Sequence, residues 1–180
     1  MRLVIVLAVL IAVSGTAARA QWPKPVAAVV PQADGYVVIP HAAVPPQKSR
    51  VYRAIFDASR GAERPGELVP ALNMAGSELN ALAAAGVPGK NAKFAVVFHG
   101  AAIDGILDDA HYRAKFGVAN PNLAVIAALK RSGTELFVCG QNLAFAGIDP
   151  KSLTPDVAVA SDALIVLMTY QADGYALLGF

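Results

Sequence analysis

Phe94-Ala95-Val96-Val97-Phe98-His99-Gly100 is a short, unbroken apolar run closed by an imidazole and a glycine. A strand with one wet face alternates apolar and polar residues, whereas a strand buried on both faces reads as a continuous apolar segment. The run therefore predicts a central strand of a parallel sheet with helices on both sides. Outward from it, Thr134 to Val138, followed by Cys139-Gly140, has the same form. Val51 to Ala58 reads as an earlier strand, and Asp156 to Ala160 and Tyr175 to Phe180 read as two later ones. Between them, Leu68 to Ala85 carries Leu68, Leu72, Leu79 and Leu82 at helical spacing, with Gly86 where a left-handed cap is needed. Asn120-Pro121 reads as N-cap and first helical residue of a helix that runs past Lys130 to Gly133. Gln141 to Ala146 forms a short helix. Leu164 to Met168 is β-leaning in content, yet Ser161-Asp162 before it and Gly174 after it support a helix over residues 163–172. Strands alternating with helices define a layered α/β domain.

Charge narrows the function classes. The chain has 180 residues, with 15 Lys and Arg against 13 Asp and Glu, but Arg2 and Arg19 lie in the first 20 residues, and without them the balance is 13 to 13. A neutral chain lacks the basic excess that displaces counterions from nucleic acid. Those 20 residues have the three parts of a secretory signal: Met1-Arg2, an 11-residue apolar run from Leu3 to Val13, and Ala18-Arg19-Ala20 as the cleavage site. The run is too short to span a bilayer. Cleavage after Ala20 predicts a periplasmic or secreted protein with no membrane segment. Residues 21–48 hold six of the 12 prolines and read as an extended arm, with Tyr36 to Ile39 lying on the domain, and residues 49–180 are the globular domain. The string Gln-Ala-Asp-Gly-Tyr at residues 32–36 and again at 171–175 predicts two similar turn-then-strand entries.

In an open parallel sheet the loops beyond the strands' carboxyl ends form the functional edge. His99-Gly100 and Cys139-Gly140-Gln141-Asn142 both fall there. Cys139 is the one cysteine, so an exported chain has no intramolecular disulfide, and the thiol is a core filler, an interchain link or a reactive group. At a strand end that opens a helix, a thiol feels the dipole that favours thiolate, and Gly140 is expected to leave it open. His99 is a candidate thiolate partner or proton shuttle, or else a ring bonded to a carbonyl. Gly100, Gly140, Gln141 and Asn142 are candidate binding residues. Asp104, Asp108, Asp109 and His111 lack the spacing of a metal site. No cofactor motif is present: Gly86 to Lys90 is too short for a phosphate loop, and Asp57 to Gly61 lacks a dinucleotide glycine pattern and reads as a turn.

The segment from Thr134 through Cys139 to Ala144, with Phe94 to Gly100 upstream and Gly174 to Leu178 at the end, resembles the DsrE/DsrF-like family over roughly residues 49–180. The resemblance implies a three-layer α/β/α sandwich with a mostly parallel, five-stranded sheet, assembly as a trimer or hexamer, and sulfur carried as a persulfide at Cys139. The better-known members are cytoplasmic, whereas this chain reads as exported, so their partners do not transfer with the resemblance. Two functions follow. One is an exported sulfur carrier, more a carrier than a turnover enzyme, exchanging sulfur with a donor or acceptor protein. The other is a non-catalytic oligomeric module that binds a ligand or protein, with Cys139 structural.

Overall fold

The structure, a computed structural model, describes residues 22–180. The segment read as an export signal lies outside the described residues. Five strands, β1 (Tyr52–Ala58), β2 (Ala92–Phe98), β3 (Glu135–Cys139), β4 (Ala158–Ala160) and β5 (Ala176–Gly179), form one sheet in the order β4-β3-β2-β1-β5. All four pairings are parallel. The predicted layered α/β fold is the one found, with the sheet wholly parallel.

Side chains alternate across this sheet and divide the core in two. Ala54, Phe56 and Ala58 of β1, Phe94, Val96 and Phe98 of β2, and Leu136 and Val138 of β3 face the larger core. That side is covered by α1 (Pro70–Ala84) and α3 (Leu123–Arg131), whose buried residues include Leu72, Leu79, Ile126 and Leu129. The opposite face presents Ile55, Ala95, Val97 and Cys139, which pack with Ala163 and Leu167 of α5 (Ala163–Ala172). Segment 163–172 is therefore a helix, capped by Asp162, whose carboxylate accepts from the Leu164 and Ile165 amides. At the far edge, Phe180 stacks on Phe56 with centroids 6.0 Å apart and donates its amide to the Asp57 carbonyl.

Several local expectations need correction. Asp57 and Ala58 are the last residues of β1 and not part of a turn. The α3 N-cap position is Asn122, not Asn120. Both asparagines are buried in a network instead: the Asn122 side chain accepts from the Val69 amide at 2.8 Å, and Asn120 donates to the Gly105 and Leu107 carbonyls. The stretch before them is helical, a 3₁₀ segment at Gly100–Ile106 followed by α2 (Asp109–Phe116). Asp108 caps α2 by accepting from the His111 amide, and Asp109 accepts from Arg113 and from the Asn120 amide. These bonds hold both carboxyls below the usual range, for Asp108 chiefly the His111 amide and for Asp109 chiefly Arg113. Of the two Gln-Ala-Asp-Gly-Tyr strings, only the second leads into a strand. After the first, Tyr36 makes a single antiparallel bridge to Val26.

Residues 29–34 are held on α1 mainly by one buried side chain. Asn80 is fully buried and accepts from the Val29 and Val30 amides at 3.0 and 2.9 Å, while its Nδ2 donates to the carbonyls of Val30 and Asp34. One turn earlier, Gly76 makes room for Ala33, whose Cβ would stand 2.5 Å from any Cβ at position 76. Asn80→Ala leaves two amides without a partner, and a buried orphan donor costs about 1–3 kcal/mol. We expect a loss of about 2–4 kcal/mol in urea unfolding, with faster proteolysis within residues 22–50.

Candidate functional site

Three strand ends meet on the α5 side of the sheet. Phe98 pairs with Val138 in the β2–β3 register, so continuing by one residue sets His99 beside Cys139. His99 keeps extended backbone, at φ −152° and ψ −179°, and donates its amide to the Ala58 carbonyl, so the ladder continues that far. Neighbouring strands lie about 4.8 Å apart. By alternation, Asp57, His99 and Cys139 share one face, in a row across β1, β2 and β3. The row is connected on one side by a bond between His99 Nε2 and Asp57 Oδ1 of 2.6 Å, both side chains about a quarter exposed. A carboxylate has no proton to give, so Nε2 donates, and in the neutral ring the lone pair is then on Nδ1. His99 makes no hydrogen bond to Cys139, so the row is connected on the Asp57 side alone and has the residues, but not the base-to-nucleophile bond, of an activated thiol.

The loops beyond the row are tied together. Gly100 donates its amide to the Asn142 side chain at 3.1 Å, joining the β2 loop to α4 (Gly140–Ala146), and Ala101 donates to the Ser59 carbonyl. Asn142 is thus a bracing residue between two loops. Gln141 is exposed and reaches the Ser161 carbonyl only at 3.5 Å.

Cys139 occupies the N-cap position of α4, at the strand end where it was expected, but it is not open. It is 5% exposed and belongs to the cluster with Ile55, Ala95, Val97, Ala163 and Leu167. Gly140 serves a different purpose from steric access. A Cβ there would stand 2.6 Å from the Ala160 carbonyl oxygen, so the missing side chain lets β4 approach the Cys139 turn. The elements that follow the thiol in the chain carry exposed apolar residues. Phe145 of α4, Val159 of β4, and Leu164, Ile165 and Met168 of α5 are all exposed, Phe145 to 88% and Leu164 to 62%. On the inner side, Tyr170 packs against Phe137 and Tyr175, and its phenol is pushed well above its ordinary range by burial and then by Glu135.

Asp57 is the member of the row that sequence reading missed. Its only signal was its parity with Ile55 on a strand whose partner could not be known in advance. His111, Asp104, Asp108 and Asp109 lie elsewhere and cap or brace helices, as described above; Lys115 donates to Asp104 at 2.6 Å. Among the described residues no cluster of His, Cys, Asp and Glu forms a metal site.

A parallel five-stranded domain whose one cysteine sits at a strand end is the class defined by these observations. The DsrE/DsrF-like family model matches residues 56–180, and the chain belongs to that family. Two solved structures share the fold, each with a TM-score of 0.53 over 72% of this chain and 99% of the other. They are the protein of unknown function MTH1491 from Methanobacterium thermoautotrophicum, at 19% identity, and the ychN protein from E. coli, at 16%. No curated protein matches the sequence.

Gly140→Ala tests how tightly the Cys139 turn is built. A methyl group forced against the Ala160 carbonyl should lower stability by about 1–3 kcal/mol, read as a drop in the thermal midpoint. An unchanged midpoint would mean that β4 moves aside at no cost.

Proposed function

We propose that the protein handles sulfur, with Cys139 accepting sulfane sulfur as a persulfide and passing it to a partner thiol. The observation that carries this reading is the row Asp57, His99, Cys139 at the functional edge of a DsrE/DsrF-like domain. The step is redox-neutral. The Cys139 sulfur attacks the outer sulfur of a donor persulfide, a new S–S bond forms on Cys139, and the donor's S–S bond breaks to release its thiolate. The Cys139 proton moves to His99 Nδ1 and then to the leaving thiolate, while Asp57 holds the ring and stabilises its charged form. Because Cys139 is nearly buried, a donor reaches it only when α5, which supplies Ala163 and Leu167 to the same cluster, shifts.

Assembly fits the same edge. α5 has the sequence ALIVLMTYQA, carries no charge and exposes Leu164, Ile165 and Met168. An apolar helix of this kind belongs in an interface, so we place the contact between copies, in a trimer or hexamer, on α5 beside the Cys139 turn. The first 20 residues support an exported protein, periplasmic or secreted, whose donor and acceptor are then themselves exported proteins.

Burial of Cys139 favours a second reading, in which the domain binds a ligand or protein without chemistry and the thiol fills the core. Incubation of the folded protein with a persulfide donor, read by intact mass, separates the two. Sulfur carriage predicts the gain of one sulfur atom on the wild type and none on Cys139→Ser. His99→Gln should slow loading by about 10²-fold, the usual scale for a positioned base. Asp57→Asn should slow it less and shift the pH profile of Cys139 alkylation, a readout that a packing defect would not move. A thiol that takes no sulfur from any donor and alkylates only after denaturation would establish the binding module.

A further inference from the structure

A second site lies on the other face of the sheet, toward the opposite end of the strands from Cys139. It is a cleft of about 380 Å³ between α1, strands β1 and β5, and residues 36–50. Ligand pockets are typically about 300–1,000 Å³, mostly apolar, with a few polar groups that fix orientation. Phe56, Phe94, Leu82 and Leu178 give this cleft its apolar floor. Its outer wall includes Tyr36, Pro45 and Pro46, all from the segment that precedes the family match at residue 56.

The wall is fixed in place. The Gln47 amide donates to the Tyr52 hydroxyl at 2.7 Å, Arg50 closes a turn onto the Gln47 carbonyl, and Asn91 donates to the Lys48 carbonyl at 3.0 Å. Two prolines remove further freedom. The cleft is therefore preformed, and a preformed site loses little entropy on binding. Its polar lining is asymmetric in charge. Arg50 lines it and meets no carboxylate within 4.0 Å among the described residues, while Arg53 borders it with a side chain that alternation places on the Ile55 and Asp57 face. Glu78 is the one acid in the lining, and burial raises its pKa, which weakens its opposition to an incoming anion. The Tyr52 hydroxyl accepts from Gln47 and keeps its own proton to donate.

From this arrangement we infer that the cleft binds a small organic anion with an apolar body, its carboxylate at Arg50 and its hydrocarbon on Phe56, Phe94 and Leu178. The site does not depend on the sulfur chemistry of Cys139. A guanidinium matches a carboxylate in geometry as well as charge, and the floor offers nothing to a fully hydrated ion.

The test is calorimetric titration of the folded protein with decanoate, below its micelle concentration, against decylamine and decanol as chain-matched cation and neutral. Decanoate should bind in preference to both. Arg50→Gln should cost about tenfold in decanoate affinity, the scale of a charge-assisted hydrogen bond, while leaving decanol unchanged. Ala176→Phe, on an exposed position of the edge strand, should fill the cleft and abolish binding of all three, with circular dichroism confirming the fold. Absence of decanoate binding, equal binding of decylamine, or binding retained by a folded Ala176→Phe protein would each overturn the inference.

Discussion

Pairing of β1 with β2, from Tyr52 beside Ala92 to Ala58 beside Phe98, is the constraint on which the rest of the molecule depends. It is the longest ladder in the sheet, and its two strands are buried at Ile55, Phe56, Val96 and Val97 on both faces. Parallel strands cannot be joined by a tight turn, so the chain between them must cross over a face of the sheet, and α1 is that crossover. The same register brings Asp57 within reach of His99 and, through β3, sets His99 level with Cys139. A slip of one residue between β1 and β2 would turn Asp57 to the face opposite His99 and Cys139. The site is thus a property of strand register and not of any one loop.

The two faces of the sheet are covered unequally. Two helices and a network of buried asparagines close the α1 and α3 side, where Asn80, Asn120 and Asn122 satisfy backbone groups that no helix or strand could reach. Among the described residues only α5 lies on the other side, and its buried cluster is small. A parallel sheet needs both faces shielded from water, so the thinner side is where association with another chain gains most. Cys139 lies on this thinner side.

How much of this was legible in the sequence follows from the kind of signal each part leaves. The central strands could be read because a strand buried on both faces has no polar residues to interrupt it, as in Phe94 to Phe98. α1 could be read from leucine spacing and Gly86, and α5 from Ser161-Asp162 and Gly174, although the N-cap expected at Ser161 is Asp162. The helical stretch at 100–116 was missed because only Tyr112 of α2 is buried, leaving no apolar stripe to count. Asn120 and Asn122 looked like a helix start because the same side-chain oxygen that caps a helix can serve a loop amide. Cys139 and His99 were visible as strand-end residues. Their adjacency was not, since register is decided by tertiary packing, and neither was the burial of the thiol beneath α5. Asp57 was invisible for the same reason.

The outer pairing of β5 with β1 carries a kinetic consequence. It joins Ala54 to Ala176 and Asp57 to Gly179, the most sequence-distant contacts in the sheet, and Phe180 then stacks on Phe56. Closing so large a loop is entropically expensive, and proteins rich in such contacts fold slowly. Until the last strand arrives, β1 is an edge, with unpaired amides and carbonyls along Ala54 to Asp57 and an uncovered aromatic ring. A chain in which β5 has not yet docked therefore presents a sticky strand, and this window of aggregation risk closes only when β5 pairs with β1.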